Sequence, residues 1–251
     1  SFYQKNCLYK INIPCKNSLK KEFLLNSIKI SREEYPNIDL VPHFSILHEF
    51  KRNRLNTLNS FVQFLENVKG FGCKEVLLVS GSQKRSTLDS VSTLRHLKNN
   101  ILFSKNDFSI GVAFNPYLPS FLFKEEIVKL EEKLHSGLVR SIWIQFGTDY
   151  ELLESRIEIL KKIIFTKKSK FREFNINLFG SLLIPSKQFL ARFRYRPWKG
   201  VYCSEDFLNS EVFAYNIIRN ILHIYRKNKI YPIIETDVST QRKLNKLMEI
   251  I

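Results

Sequence analysis

A glutamine stands inside an otherwise apolar run, Ile142-Trp143-Ile144-Gln145-Phe146. A neutral amide donates and accepts at once, which suits the edge of a heterocycle such as a pterin or an isoalloxazine. The same residue can equally be a core glutamine whose amide is met by the backbone. His43, in Pro42-His43-Phe44-Ser45, titrates near neutrality and can meet a ligand or bond a neighbouring loop. Ser80-Gly81-Ser82 follows an apolar run, and glycine there allows the close backbone approach that cradles a phosphate. Asn115 and Pro116 close a further apolar run. Carboxylates at the ends of such runs are Asp149, Glu205, Asp206, Glu235 and Asp237. Glu205 and Glu235 can be read as a hydrolytic pair, though nothing in their spacing selects it. The sequence has no G-x-G-x-x-G, no Walker A, no H-E-x-x-H and no nucleophile elbow.

These residues need elements to carry them. Short β-branched runs alternate with longer runs of helical period. The strands are expected at Tyr9–Pro14, Pro42–Leu47, Glu75–Val79, Ser109–Phe114, Ser141–Phe146, within Asn175–Ile184, at Gly200–Cys203 and at Tyr231–Val238. The helices are expected at Ser18–Ile30, Leu55–Val68, Thr87–Leu97, Glu125–His135, Tyr150–Phe165, Ser186–Phe193, Ser210–Arg226 and Ser239–Ile251. That makes about eight β-then-α units, the number a (β/α)8 TIM barrel requires. A doubly wound sheet is the alternative, but it wants a glycine-rich first turn, and Pro14-Cys15-Lys16-Asn17-Ser18 has no glycine. With no linker-like stretch, the expectation is α/β: one TIM-barrel domain over residues 1–251. In that fold the functional residues lie at the C-terminal ends of the strands, where the polar candidates above fall.

The chain has 251 residues, 40 basic against 24 acidic, for a net charge of +16. Its 44% hydrophobic and 25% charged content excludes disorder and collagen, and no apolar run approaches the roughly 18 residues of a membrane helix. Residues 161–200 hold eleven basic residues against one acid, Glu173. Phe193, Tyr195 and Trp198 interleave with arginines there, a composition that stacks on bases or holds anionic groups. The expected partners are an acidic protein surface or a large anionic assembly, with nucleic acid a weaker alternative. Three alanines against 21 phenylalanines fit an AT-rich coding bias, which accounts for part of the charge. The four cysteines form no C-x-x-C pair and read as reduced intracellular thiols. Met248 is the only methionine, so a removed leader or simple trimming is expected before Ser1, which suits cytoplasm or mitochondrial matrix.

Ser109-Ile-Gly-Val-Ala-Phe-Asn-Pro116, Leu130-Glu-Glu-Lys-Leu-His-Ser-Gly137 and Ile142-Trp-Ile-Gln-Phe146 resemble, in order and spacing, the methylenetetrahydrofolate reductases. Pro42–Ser45 and Val76–Gly81 look like the family's second- and third-strand motifs, and Arg194–Phe207 is similar to a divergent, actinobacterial-type branch of that family. The resemblance implies a barrel that binds FAD, or only NAD(P)H, and transfers hydride to a methylene-folate. Carried over by position, it implies that His43, Ser80, Gly81, Ser82, Asn115 and Lys133 contact the cofactor and that Gln145 contacts the pterin or flavin. The family's first strand carries a glutamate and its third-strand turn reads Arg-Gly-Asp. Here Ile11-Asn12-Ile13-Pro14 and Ser80-Gly81-Ser82 stand in those places. The alternative expectation is therefore a catalytically degenerate barrel serving as a structural subunit of a larger, mitochondrial assembly.

Overall fold

The computed structural model describes residues 10–14, 21–49, 53–81, 88–98, 100–103, 107–170, 175–235 and 241–249. The chain divides into two compact units, Ser1–Ala113 with Glu132–Arg140 and Phe114–Glu131 with Ser141–Ile251.

The first unit carries β1 (Lys10–Ile13), α1 (Lys21–Glu34), β2 (Asp39–Ser45), a short α2 (Ile46–Glu49), α3 (Arg54–Gly70), β3 (Glu75–Val79), α4 (Ser90–Leu97) and β4 (Ser109–Phe114, the last residue falling in the second unit). All pairings are parallel, with Lys10 opposite Asp39, His43 opposite Leu77 and Glu75 opposite Ser109. In β3, Val76, Leu77 and Leu78 are all buried, as befits a strand covered on both faces. Helix α3 begins at Asn53, whose side chain accepts from the Leu55 N–H, and it buries Leu58, Phe61, Phe64, Leu65 and Val68. That apolar stripe meets Phe44 of β2, whose ring lies 4.4 Å from Phe61 and 5.4 Å from Phe64.

The second unit carries most of α5 (Ser120–His135), then β5 (Val139–Ile144, its first two residues falling in the first unit), α6 (Tyr150–Lys170), β6 (Asn177–Leu183), α7 (Lys187–Tyr195), α8 (Glu205–Asn209), α9 (Glu211–Lys227), β7 (Tyr231–Glu235) and α10 (Gln241–Met248). Ser141 pairs with Asn177 and Phe179 with Tyr231, again in parallel. Trp143 and Phe179 stack at 4.7 Å. Helix α9 buries Ala214, Ile218, Ile221, Leu222 and Tyr225, spaced to make one continuous apolar stripe. The Tyr225 ring fills the space that a side chain at Gly180 would need, and its hydroxyl donates to the Ser181 carbonyl at 3.2 Å.

Strand order follows chain order, β1 to β4 in the first unit and β5 to β7 in the second. A doubly wound sheet reverses its order, and neither unit does so. The fold class is α/β of the TIM-barrel type, with seven strands among the described residues. The expected strand at Gly200–Cys203 is reduced to one parallel bridge, Gly147 to Tyr202. The reason is local. Val201 N–H donates to the Trp198 carbonyl and Gly200 sits at φ +83°, so the backbone is still turning where a strand would have to begin. Among the described residues no helix is long and apolar enough to cross a membrane.

Cys73, buried just after the end of α3 in the first unit, has its thiol pushed up to about 11 by desolvation, with the Arg32 guanidinium working against the shift. A thiol ordinarily ionises at 9.0, so its contribution to stability is present below that pH and is lost as pH rises toward 11. Urea unfolding of wild type and Cys73→Ala should therefore diverge between pH 9 and 11, with wild type losing roughly 2 kcal/mol more. Parallel curves would show the thiol to be solvated.

Candidate functional site

The second unit presents a cleft of about 750 Å³, within the range of small-ligand sites. Its walls come from the segment after β5 and from α7, α8 and the loop between them. Thr148 and Asp149 stand on one side, Phe193, Arg194 and Pro197 on another, and Val201 to Glu205 with Leu208 and Asn209 complete it.

Local hydrogen bonding fixes each wall. Thr148 N–H donates to the Tyr202 carbonyl at 3.1 Å, and Thr148 Oγ1 accepts from Ser204 N–H at 2.7 Å. Thr148 is thereby buried with its polar groups spent on joining the two loops. Asp149 Oδ1 accepts from Leu152 N–H at 2.9 Å, in the first turn of α6, where a carboxylate meets the helix dipole favourably. Ser204 caps α8, accepting from Phe207 N–H, and fully buried Phe207 packs 5.7 Å from Phe146.

Helix α7 starts at Ser186, whose hydroxyl accepts from Phe189 N–H. Leu190 and Phe193, three apart, turn inward because residues at that spacing share a helix face. Phe189, Phe193 and Trp198 meet edge to face or tilted, at 5.4 to 5.9 Å. With the apolar face committed, Lys187, Arg192, Arg194, Arg196 and Lys199 are all exposed. Tyr195 is 92% exposed, Trp198 47% and Tyr202 41%. Arg194 makes one long bond, 3.5 Å to Asn209 Oδ1, and both residues line the cleft.

Cys203 also lines the cleft, and burial pushes its thiol up to about 12, which keeps it protonated and a poor nucleophile at neutral pH. Tyr117 lies close by. Its ring occupies the space a Cβ on Gly147 would need, its hydroxyl is buried with no hydrogen-bond partner, and burial, then Tyr225, Asp149 and Cys203, raise its pKa well above the ordinary phenol value. Among the described residues, no group of three or more His, Cys, Asp or Glu side chains is placed to hold a metal ion.

Of the residues singled out in the sequence, Asp149 and Glu205 line this cleft, whereas those assigned by the family resemblance lie elsewhere. In the first unit, His43 is half-buried within β2. Ser80 Oγ donates to Ser90 Oγ and accepts from Ser90 N–H, both at 2.9 Å, so it ties β3 to the start of α4. Gly81 sits at φ +90°, and a Cβ there would stand 2.5 Å from Leu47 Cβ, so its glycine serves a packed turn. Ser82 lies outside the described residues. Lys133 is buried, with Nζ donating to the Ala113 carbonyl at 3.1 Å. In the second unit, Asn115 donates to the Gly200 carbonyl at 2.9 Å and accepts from Tyr117 N–H at 3.0 Å. Gln145 Oε1 accepts from Phe146 N–H at 3.1 Å. Neither lines the cleft, and the side chains of Ser80, Asn115, Lys133 and Gln145 all bond locally. Of the cleft residues, Thr148 and Asn209 carried no motif, whereas Tyr202 fell within the Arg194–Phe207 string and the expected strand at Gly200–Cys203. Of the basic stretch, the side chains of Lys167, Lys168, Lys170 and Arg172 lie outside the described residues, and Lys161 is paired with Glu158 at 3.2 Å.

No protein-family model and no curated protein matches the chain. Among solved structures it is similar to N-acetylneuraminate lyase from Fusobacterium nucleatum complexed with pyruvate, at 12% identity and TM-score 0.46, covering 99% of this chain and 68% of that one. It is similar to an oxaloacetate acetylhydrolase at 11% identity and TM-score 0.47, covering 99% and 84%. A xylose isomerase domain containing protein from Salmonella typhimurium LT2 aligns at 13% identity and TM-score 0.38, covering 88% of each chain. At these levels the likenesses assign no activity to this chain.

The resemblance to methylenetetrahydrofolate reductases is thereby corrected: the comparisons return other names, and no family model supports it. The flavoprotein oxidoreductase reading falls with it, and the degenerate structural-subunit alternative gains no support. The physical reason is visible in the strings that carried the likeness. Ile110, Val112, Phe114, Ile142, Trp143 and Ile144 are buried strand residues, and Lys133 bonds a backbone carbonyl. Such a pattern describes buried parallel strands in general and fixes no chemistry.

Proposed function

We propose that this chain binds an anionic partner through α7 and the loop that follows it to Tyr202. One observation carries the reading: Lys187, Arg192, Arg194, Arg196 and Lys199 are all exposed, and none has a carboxylate partner among the described residues. Elsewhere some cations are matched, as in Lys10 to Glu75, Lys69 to Asp107, Arg95 to Glu132 and Lys227 to Glu154. No acidic residue occurs from 174 to 204, so this surface cannot be neutralised from its own segment. Unscreened like charges oppose folding, and a partner of opposite sign relieves that repulsion.

The test is the variant Arg192→Gln/Arg194→Gln/Arg196→Gln/Lys199→Gln on immobilised heparin, with circular dichroism as the fold control. Wild type should be retained and should elute with rising salt, because release of counterions drives such binding. The variant should elute much earlier, and its slope of log affinity against log salt should shrink by about 3, roughly 0.7 to 0.9 for each lost contact. Equal elution of the two proteins would overturn the reading.

A further inference from the structure

We infer that the anionic partner is a single-stranded nucleic acid, held by base stacking on the exposed aromatics of the same surface. This rests on the charge reading above and adds a substrate class to it. An acidic protein surface would be satisfied by the cations alone. The segment Arg192-Phe193-Arg194-Tyr195-Arg196-Pro197-Trp198-Lys199 does more than present charge. Its Phe193 is buried, so the local core is already filled. Yet Tyr195 stands 92% exposed between two arginines, with its ring face in water. Trp198 at 47% and Tyr202 at 41% add two part-exposed aromatic residues within eight residues.

A large exposed ring costs hydration free energy for no gain in folding, whereas a ring face among cations is the arrangement that takes an unpaired base while arginines follow its phosphates. Duplexes keep their bases stacked inside, so these rings would have nothing to meet there. The cleft adjoins the same surface, since Arg194 and Tyr202 are among its walls. Asp149 and Asn209 also line it, and a carboxylate and an amide can both bond a base edge. Charge complementarity selects a polyanion, and the ring faces select one with unpaired bases.

The probes are fluorescently labelled U12 and dT12, followed by anisotropy at low salt. Poly-glutamate and a hairpin duplex serve as competitors, and wild type is compared with Tyr195→Ala, Tyr195→Phe and the fourfold glutamine variant. Wild type should bind the single strands, and the duplex and poly-glutamate should compete poorly. Tyr195→Ala should weaken single-strand binding roughly 5- to 100-fold, the span of one stacked base. Tyr195→Phe should bind like wild type, and heparin retention should be unchanged in both tyrosine variants. Tighter binding of U12 than of dT12 would assign the strand as RNA, equal binding as either nucleic acid, and both outcomes support the inference. Wild-type affinity in Tyr195→Ala, or stronger binding of poly-glutamate than of either oligonucleotide, would overturn the inference while leaving the anionic-partner reading intact. Loss of heparin retention as a difference between wild type and the fourfold variant would remove both.

Discussion

Alanine at position 180 should destabilise the second unit by about 3 kcal/mol, and alanine at position 225 by about 3 to 5 kcal/mol. A Cβ on Gly180 would stand 2.2 Å from Tyr225 Cζ and 2.7 Å from its hydroxyl oxygen. Atoms do not approach that closely, so the ring or the strand must move. The ring cannot move cheaply, because Tyr225 is fully buried in the apolar stripe of α9 and its hydroxyl bonds the Ser181 carbonyl. Conversely, Tyr225→Ala leaves a ring-sized cavity over β6, with the usual cost of lost contacts in a packed interior. The decisive measurement is the double variant. With the ring gone, the new methyl of Gly180→Ala fills part of the cavity it would otherwise have clashed with. Gly180→Ala/Tyr225→Ala should then be more stable than the sum of the single losses predicts, by at least about 2 kcal/mol in urea unfolding, since residues in contact do not add. Additive losses would show that ring and glycine do not share that space.

Arg156→Met should cost about 3 kcal/mol, chiefly through carbonyls left without donors. The guanidinium of Arg156 is buried in the second unit. It donates through Nη1 to the Pro116 carbonyl and, at 2.5 Å, to the Leu118 carbonyl, and it lies 3.9 Å over the Phe123 ring. Burial lowers its pKa, with the Asp149 carboxylate opposing the shift. Methionine keeps the length of the stem but removes the donors. Each orphaned carbonyl costs about 1 to 3 kcal/mol, and the lost ring contact adds roughly 1 kcal/mol. Relief of the desolvation of a buried charge offsets part of this. Lysine restores the charge but supplies a point donor in place of a planar fork, so Arg156→Lys should recover less than half. Hydrogen exchange should localise the effect, with faster exchange at Tyr117 and Leu118, the segment whose carbonyls Arg156 holds. Stability within about 0.5 kcal/mol of wild type would mean that desolvation cancels these contacts.

Much of the secondary structure was legible in the residues because its causes are local. The run Glu75–Val79 is apolar after its first residue and is the strand β3 over those same residues. Ser109–Phe114 is likewise β4. The helices expected from Ser186 and Ser210 are α7 and α9, and the structure shows each opened by a serine hydroxyl that accepts from the N–H three residues on. The regular succession of such units was enough to place the chain in the TIM-barrel class, since parallel neighbours need a helix to cross between them. Composition alone also located the charge excess, for an acid-free stretch from 174 to 204 can be counted without a structure.

The partners of the polar side chains could not be counted that way. Gln145, Asn115, Ser80 and Lys133 sit at or near the ends of apolar strands or helices, where a ligand and a backbone group compete for the same donor or acceptor. Spacing along the chain does not decide between them. The packing did, by bringing Phe146 N–H, the Gly200 carbonyl, Ser90 and the Ala113 carbonyl within bonding distance. The failed strand at Gly200–Cys203 has a local origin instead: the backbone is still turning at Gly200, and among the described residues Tyr202 forms a single bridge, to Gly147. The cleft is a tertiary feature, since Thr148 lies more than forty residues before Arg194 and Asn209 and shares no motif with them. The sequence set which residues are apolar, which turn and where the charge lies, because those follow from each side chain and its near neighbours. Which arginines and rings remain in water after the core has taken Leu190 and Phe193 was decided only by the packed structure, because burial is a property of what folds on top.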